Sequence, residues 1–112
     1  MEVHNELGFG FPEVFYHRAL AIELDFKSVL YEQEVHLPIH YKKNCIGLRV
    51  PDFLIEKKLI IEIKAVMHFE DSALVQALNY LEAFNLENGL LLNFGSHKLE
   101  MKRLLNRKFK SN

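Results

Sequence analysis

The chain has 112 residues, of which 49% are hydrophobic and 26% charged, and its formal net charge is −1. This composition predicts one folded domain over residues 1–112, and it argues against a disordered chain or a non-specific coat of nucleic acid, which needs many cationic contacts. A single cysteine excludes an internal disulfide framework, no apolar run approaches the ~20 residues of a membrane span, and the first residues lack a secretory-signal pattern, so we expect a cytoplasmic location.

The first predicted element is a helix over residues 12–24. Gly10 precedes it, and Pro12 suits the first helical turn because its missing N–H has no partner there in any helix. Apolar residues recur with helical spacing and predict the buried face. They are Phe11, Val14, Phe15, Ala19 and Ile22.

Three strands are predicted next, over residues 31–41, 46–55 and 59–66. Pro38 lies inside the first strand, where it indicates an edge or a bulge because proline cannot donate to a ladder. Turn-forming residues separate the strands. They are Asn44 and Gly47 between the first two, and Glu56-Lys57-Lys58 between the second and third.

A second helix is predicted from Asp71 or Ser72, either of which can cap it, to residue 85. Its apolar stripe consists of Leu74, Ala77, Leu78, Leu81 and Phe84. Gly89 then precedes the fully apolar run 90–92, which is typical of a buried strand. The segment from Ser96 is amphipathic and fits a short strand or a helix. The resulting order is α-β-β-β-α-β, which predicts an α+β or α/β domain with a mixed sheet.

The third strand carries charge where apolar residues are expected. Alternate residues of a strand share a face, so Ile60, Glu62 and Lys64 point to one side. The simplest interpretation of a Glu-Ile-Lys triplet is a solvent-facing ion pair. However, a strand this rich in Leu and Ile is expected to be covered on both faces, where unpaired charge is costly.

A three-residue turn would pair Ile55 with Leu59 and would set Asp52 directly opposite Glu62. Two like charges in that position destabilise a sheet, and a divalent cation such as Mg²⁺ offsets their repulsion. Lys64, one pleat repeat further, can reach the same place and assist an attacking water. A two-residue turn would put the carboxylates on opposite faces.

Two groups of residues on the predicted helices can be interpreted either as ordinary structural residues or as part of a functional site. Gln76 and Tyr80 share a helix face, either as a solvated Gln with a Tyr at the edge of the core or as part of a site. Glu13 lies three residues before Tyr16 with His17 beside it, and a surface charge and a structural histidine are the simpler interpretation. The six histidines show no zinc-type spacing, and no glycine-rich phosphate loop is present.

Several of these motifs resemble one known family. Pro51-Asp52, Glu62-Ile63-Lys64 and Gln76-Ala77-Leu78-Asn79-Tyr80 resemble the PD-(D/E)XK nuclease superfamily with its Gln-x-x-x-Tyr helix motif. The segments 10–16 and 89–95 are similar to the small GxxExxY branch of that superfamily. Each motif is weak alone, but four in the right order, spread over residues 4–105, are fairly specific.

The resemblance implies a restriction-endonuclease-like α-β-β-β-α-β core. It implies that Asp52, Glu62 and the carbonyl of Ile63 bind Mg²⁺ or Mn²⁺, and that Lys64 is catalytic. It further implies that Glu13 lines the site and that Gln76 and Tyr80 orient Lys64 or the substrate.

The predicted function is a metal-dependent nuclease acting on nucleic acid, with DNA favoured and a homodimer as one arrangement. Two alternatives stay open. One is a catalytically silent nucleic-acid-binding or adaptor protein that retains the fold. The other is a structural oligomer, in which replacing Asp52 by Asn would only relieve repulsion.

Overall fold

The computed structural model describes residues 2–111. Within that range two helices lead into five strands, a third helix and two further strands. In chain order these are α1 (Glu2–Leu7), α2 (Glu13–Phe26), β1 (Tyr31–Glu32), β2 (Leu37–Tyr41), β3 (Asn44–Arg49), β4 (Phe53–Ile55), β5 (Leu59–Lys64), α3 (Asp71–Ala83), β6 (Asn88–Asn93) and β7 (Glu100–Leu105).

Five strands form one sheet in the order β1-β4-β5-β6-β7, and β2 pairs with β3 in a separate two-stranded sheet. The pairing of β5 with β6 is parallel, and the other pairings are antiparallel. Ile61 and Ile63 pack with α2 on one face of the sheet, whereas Ile60 packs with α3 on the other. The predicted mixed sheet flanked by helices is confirmed, and β5 is covered on both faces.

Two of the predicted strands were wrong in extent. The strand predicted over 31–41 divides into β1 and β2, and Glu34 between them has a left-handed φ of 58° that interrupts extended backbone. The strand predicted over 46–55 divides into β3 and β4, with Pro51 between them. Because proline has no N–H to donate, a continuous ladder through this position is disfavoured.

The hairpin of β2 and β3 turns earlier than predicted. Its turn is Lys42-Lys43, with φ of 48° and 68°, so Asn44 already belongs to β3. The irregularity expected near Pro38 is confirmed as a register shift between Ile39 and His40. Helix α1 was not predicted.

Helix α2 buries a different face from the predicted one. Tyr16 and Leu20 are buried, whereas Phe15 and Ile22 of the predicted stripe are 45% and 69% exposed. Apolar residues lie on both sides of this helix, so their spacing alone did not identify the inner one. The Tyr16 ring stacks on Phe94, and its hydroxyl donates a hydrogen bond of 2.7 Å to the carbonyl of Gly8.

The second half of the fold agrees with its sequence pattern. In α3 the predicted stripe packs on the sheet, with Ala77 and Leu81 buried. Strand β6 is buried at Leu91, Leu92 and Asn93. The segment after Ser96 forms the strand β7 at the edge of the sheet. None of the helices in the described range has the length and apolar content that crossing a bilayer requires.

Gly95 follows β6 where the backbone passes against the end of β5. A methyl group there would lie 2.4 Å from the backbone N and O of Val66. We therefore expect Gly95→Ala to lower the free energy of unfolding by about 3 kcal/mol, because two backbones must move apart. Urea unfolding measures the change. Gly47→Ala is the control, since nothing lies within 4 Å of its added methyl, and equal stabilities of the two variants would contradict the prediction.

Candidate active site

The turn between β4 and β5 sets the register of the site. Ile55 pairs with Leu59 and Phe53 with Ile61, as predicted for a three-residue turn. Glu56 and Lys57 adopt left-handed φ values of 49° and 60°, which allow the chain to reverse in that length. Continued by one residue, the register brings Asp52 beside Glu62, and the predicted meeting of these two acids is confirmed.

Asp52 and Glu62 are held by reciprocal hydrogen bonds. The backbone N–H of Asp52 donates to Glu62 Oε1 at 3.1 Å, and the backbone N–H of Ile63 donates to Asp52 Oδ2 at 2.7 Å. Each carboxylate is thus anchored to the opposite strand through one oxygen. The second oxygen of each takes no part in this exchange.

Burial makes the negative charge of this pair costly. Burial first, and then the charge of Asp52, raise the pKa of Glu62 from 4.5 to about 8, although the N–H of Asp52 and the charge of Lys64 act against this. Burial also raises the pKa of Asp52, against the hydrogen bond from Ile63 and the charges of His17 and Lys64. An additional positive charge at this position would therefore stabilise the ionised pair.

The carbonyl of Ile63 faces the same edge. In a strand the N–H and C=O of one residue point to the same side, and the N–H of Ile63 points to Asp52. In the continued register the residue opposite Ile63 is Pro51, which has no N–H to donate to that carbonyl. The proline therefore leaves a carbonyl oxygen beside the two carboxylates.

A cavity of about 650 Å³ is lined by residues that include Lys64, Gln76, Tyr80 and Arg49, and neither Asp52 nor Glu62 is among its lining residues. The predicted sharing of one face of α3 by Gln76 and Tyr80 is confirmed. Burial, and then the charge of Glu62, raise the pKa of Tyr80, so its hydroxyl lies within electrostatic reach of the acids. The Arg49 guanidinium lies 5.6 Å from the centre of the Tyr80 ring.

Asn93 fixes the backbone that follows Lys64. Its side-chain amide donates to the carbonyl of Val66 at 2.7 Å, and its Oδ1 accepts the Val66 N–H at 2.9 Å. Asn93 is fully buried and also accepts the N–H of Gly95. The chain that follows β5 is thereby held to the end of β6.

Helix α2 contributes Glu13 and His17. His17 Nε2 lies 3.7 Å from Glu13 Oε2 and 3.6 Å from Asp52 Oδ2. The structural histidine expected at position 17 is therefore a neighbour of the acid pair, while Tyr16 points into the core. The spacing of four residues between Glu13 and His17 indicates in the sequence that the two side chains share one face of the helix. Arg49 had no such signal, because its contact with Tyr80 joins elements distant in sequence.

The donor set suits one type of metal ion. Within residues 2–111, no three or more His, Cys, Asp or Glu side chains are grouped so as to hold a metal ion. Two carboxylates and a carbonyl are hard oxygen donors, which Mg²⁺ or Mn²⁺ accept together with water and phosphate oxygens.

A comparison with solved structures agrees with the fold. The crystal structure of SSO0001 matches with a TM-score of 0.65 at 22% identity over 82% of this chain, and it shows the same fold. The matched region is 48% of that protein's chain, so the present chain spans about half its length. A search of curated proteins gave no match. Membership of the GxxExxY branch stays a prediction.

The family comparison covers nearly the whole chain. The model of the PD-(D/E)XK nuclease superfamily matches residues 1–104, a range that includes Asp52, Glu62, Lys64, Gln76 and Tyr80. With the acids brought together at the end of a mixed sheet between two helices, sequence and geometry lead to one assignment: the chain belongs to the PD-(D/E)XK nuclease superfamily.

Proposed function

We propose that this protein is a metal-dependent nuclease that hydrolyses phosphodiester bonds of nucleic acid, with DNA as the substrate. The observation that carries the proposal is the contact between Asp52 and Glu62, each anchored to the other strand's backbone. Membership of the superfamily supports the reaction class. A fold used for many functions does not itself determine an activity, so the proposal depends on the site.

Asp52, Glu62 and the Ile63 carbonyl would hold Mg²⁺ or Mn²⁺ through their oxygen atoms. When bound, such an ion lowers the pKa of water and polarises a phosphoryl oxygen. The free oxygens of the two carboxylates suit this role because their other oxygens already accept backbone N–H groups. A bound cation would also offset the electrostatic cost of ionising both acids.

Lys64 is the proposed catalytic cation. It emerges from the same face of β5 as Glu62 and lines the cavity, where its ammonium can hydrogen-bond the attacking water and the phosphate oxygens. The oxygen of water bonds to phosphorus while the bond to the leaving oxygen breaks; water gives up a proton to solvent, and the leaving oxygen takes up a proton from solvent. Gln76 and Tyr80 orient Lys64 or the substrate. Glu13, which lies beside His17 on α2, lines the site with an acidic side chain.

The test is cleavage of plasmid and single-stranded DNA with Mg²⁺ or Mn²⁺. We expect products with either ion and none with EDTA, together with an anomalous peak between Asp52 and Glu62 in a crystal soaked in Mn²⁺. Cleavage that persists in EDTA would contradict the assigned chemistry. Binding of DNA with no cleavage under any condition would instead support a silent nucleic-acid-binding or adaptor protein.

A further inference from the structure

The hairpin of β2 and β3 is set apart from the rest of the fold. Its two strands pair with each other and with no strand of the five-stranded sheet. All six residues of β3 are exposed, and the large side chains of Tyr41, Ile46 and Leu48 are 60%, 67% and 55% exposed. We call residues 37–49 the arm. A hairpin with so little of its surface buried has room for a partner along its length.

The charge of the arm indicates the chemistry of that partner. Residues 35–51 contain three of the chain's 14 Lys and Arg and none of its 15 Asp and Glu. This segment therefore carries a formal charge of +3, whereas the rest of the chain carries −4. His36 and His40 lie in the same segment. A local cationic stretch is complementary to a polyanion. Residues 101–110 carry five further Lys and Arg and no Asp or Glu, but none of them lines the cavity, whereas Arg49 of the arm does.

The arm is joined directly to the site. Arg49, its last residue, lines the cavity together with Lys64, and its guanidinium lies over the Tyr80 ring. Asp52 follows three residues later along the chain. Lys42 and Lys43 at the tip lie roughly 20 Å from Arg49 along an extended strand. Strand β3 thus has Arg49 at the cavity at one end and the two lysines of the turn at the other.

We propose that the arm binds the phosphodiester backbone of the substrate on one side of the cleaved bond. This inference rests on the proposed function and adds the structural element that contacts the nucleic-acid strand. Arg49 contacts the phosphate nearest the cavity, and Lys42 and Lys43 contact phosphates further along. A two-stranded ribbon also fits the major groove of a duplex, which leaves room for the exposed apolar side chains.

The turn offers a sharp pair of variants. Both Lys42 and Lys43 have positive φ, the conformation that Asn-Gly favours in a two-residue hairpin turn. Lys42→Asn/Lys43→Gly therefore removes two charges while preserving the hairpin. Lys42→Glu/Lys43→Glu reverses them. The matched control is Lys57→Glu/Lys58→Glu, which changes two exposed lysines in the β4–β5 turn, at the opposite end of β5 from Lys64.

The experiment is fluorescence anisotropy with labelled duplex and single-stranded DNA in EDTA, over a range of salt concentrations. We expect both arm variants to bind at least about 10-fold more weakly, and the plot of log affinity against log salt to lose about two units of slope. The control should stay within about twofold of the wild type. Equal losses on both DNAs support the shared backbone as ligand, whereas a loss on duplex alone would contradict it and assign the groove instead.

Other outcomes overturn the inference in distinguishable ways. If the wild type binds and cleaves DNA while both arm variants bind as it does, the arm inference fails and the proposed function stands. If the variants change the sedimentation coefficient but not DNA affinity, the arm contacts a second copy instead. A wild type that neither binds nor cleaves nucleic acid removes both proposals. Should the glutamate variant not fold by circular dichroism, the Asn-Gly variant decides.

Discussion

Glu62→Gln is expected to reduce DNA cleavage by about 10³-fold, because it removes one of the two charged ligands proposed for the metal ion. The glutamine oxygen can still accept the N–H of Asp52, so the hairpin should be preserved. Initial rates on plasmid DNA in Mg²⁺ measure the effect. Glu56→Gln, an exposed residue of the β4–β5 turn, is the matched control and should cleave like the wild type.

The same substitution is expected to increase stability in EDTA at high pH. Folding raises the pKa of Glu62 from 4.5 to about 8, so between these values the folded state holds a proton that the unfolded state has released. The contribution is complete below pH 4.5 and is lost as the pH rises through 8. We expect the wild type to lose on the order of 3 kcal/mol relative to Glu62→Gln over this range.

Urea unfolding at pH 5 and pH 9 measures this difference, with Glu56→Gln again as the control. A loss of activity combined with a gain in stability identifies a residue kept for function at a structural cost. If Glu62→Gln were as active as Glu56→Gln, the metal-ligand role would be contradicted. If the wild type and Glu62→Gln lost stability equally with pH, the raised pKa would be contradicted.

Lys64→Ala is expected to reduce cleavage by about 10²- to 10⁴-fold while leaving the two carboxylates in place. The reason is the loss of the ammonium beside the attacking water and the phosphate. Binding of Mn²⁺, measured by calorimetry, should persist because Asp52 and Glu62 are unchanged. Lys57→Ala, in the β4–β5 turn, is the control.

Lys64→Arg separates the two roles that an ammonium can have. Arginine keeps the positive charge but does not release a proton in proteins. Partial activity in this variant would assign electrostatic stabilisation to Lys64, whereas activity as low as in Lys64→Ala would assign proton transfer. If Lys64→Ala cleaved DNA as well as Lys57→Ala does, Lys64 would have no catalytic role.

The sequence predicted which candidate site residues lie together better than it predicted the outer parts of the fold. The meeting of Asp52 and Glu62 depends on two local features: the three-residue length of the turn and the alternation of side chains between the two faces of a strand. The face of α3 was equally local, because its apolar residues form one stripe. These features could be derived without knowing what packs against them.

Other features depend on partners distant in sequence. Which side of α2 is buried was decided by the contact of Tyr16 with Phe94, nearly 80 residues later. The proximity of His17 to Asp52 and of Arg49 to Tyr80 likewise arises only when separate elements pack. The homodimer and the cytoplasmic location follow neither from a local sequence pattern nor from the packing of the described elements, and both stay predictions.

The hydrogen bonds of Asn93 determine which positions near the end of β5 can change in sequence. Its amide bonds the main chain of Val66, so any side chain of suitable size at position 66 leaves the contact intact. Position 93 has no such freedom, since aspartate lacks the donor and leucine lacks both groups. Natural variants should therefore diversify at residue 66 while keeping an amide at residue 93.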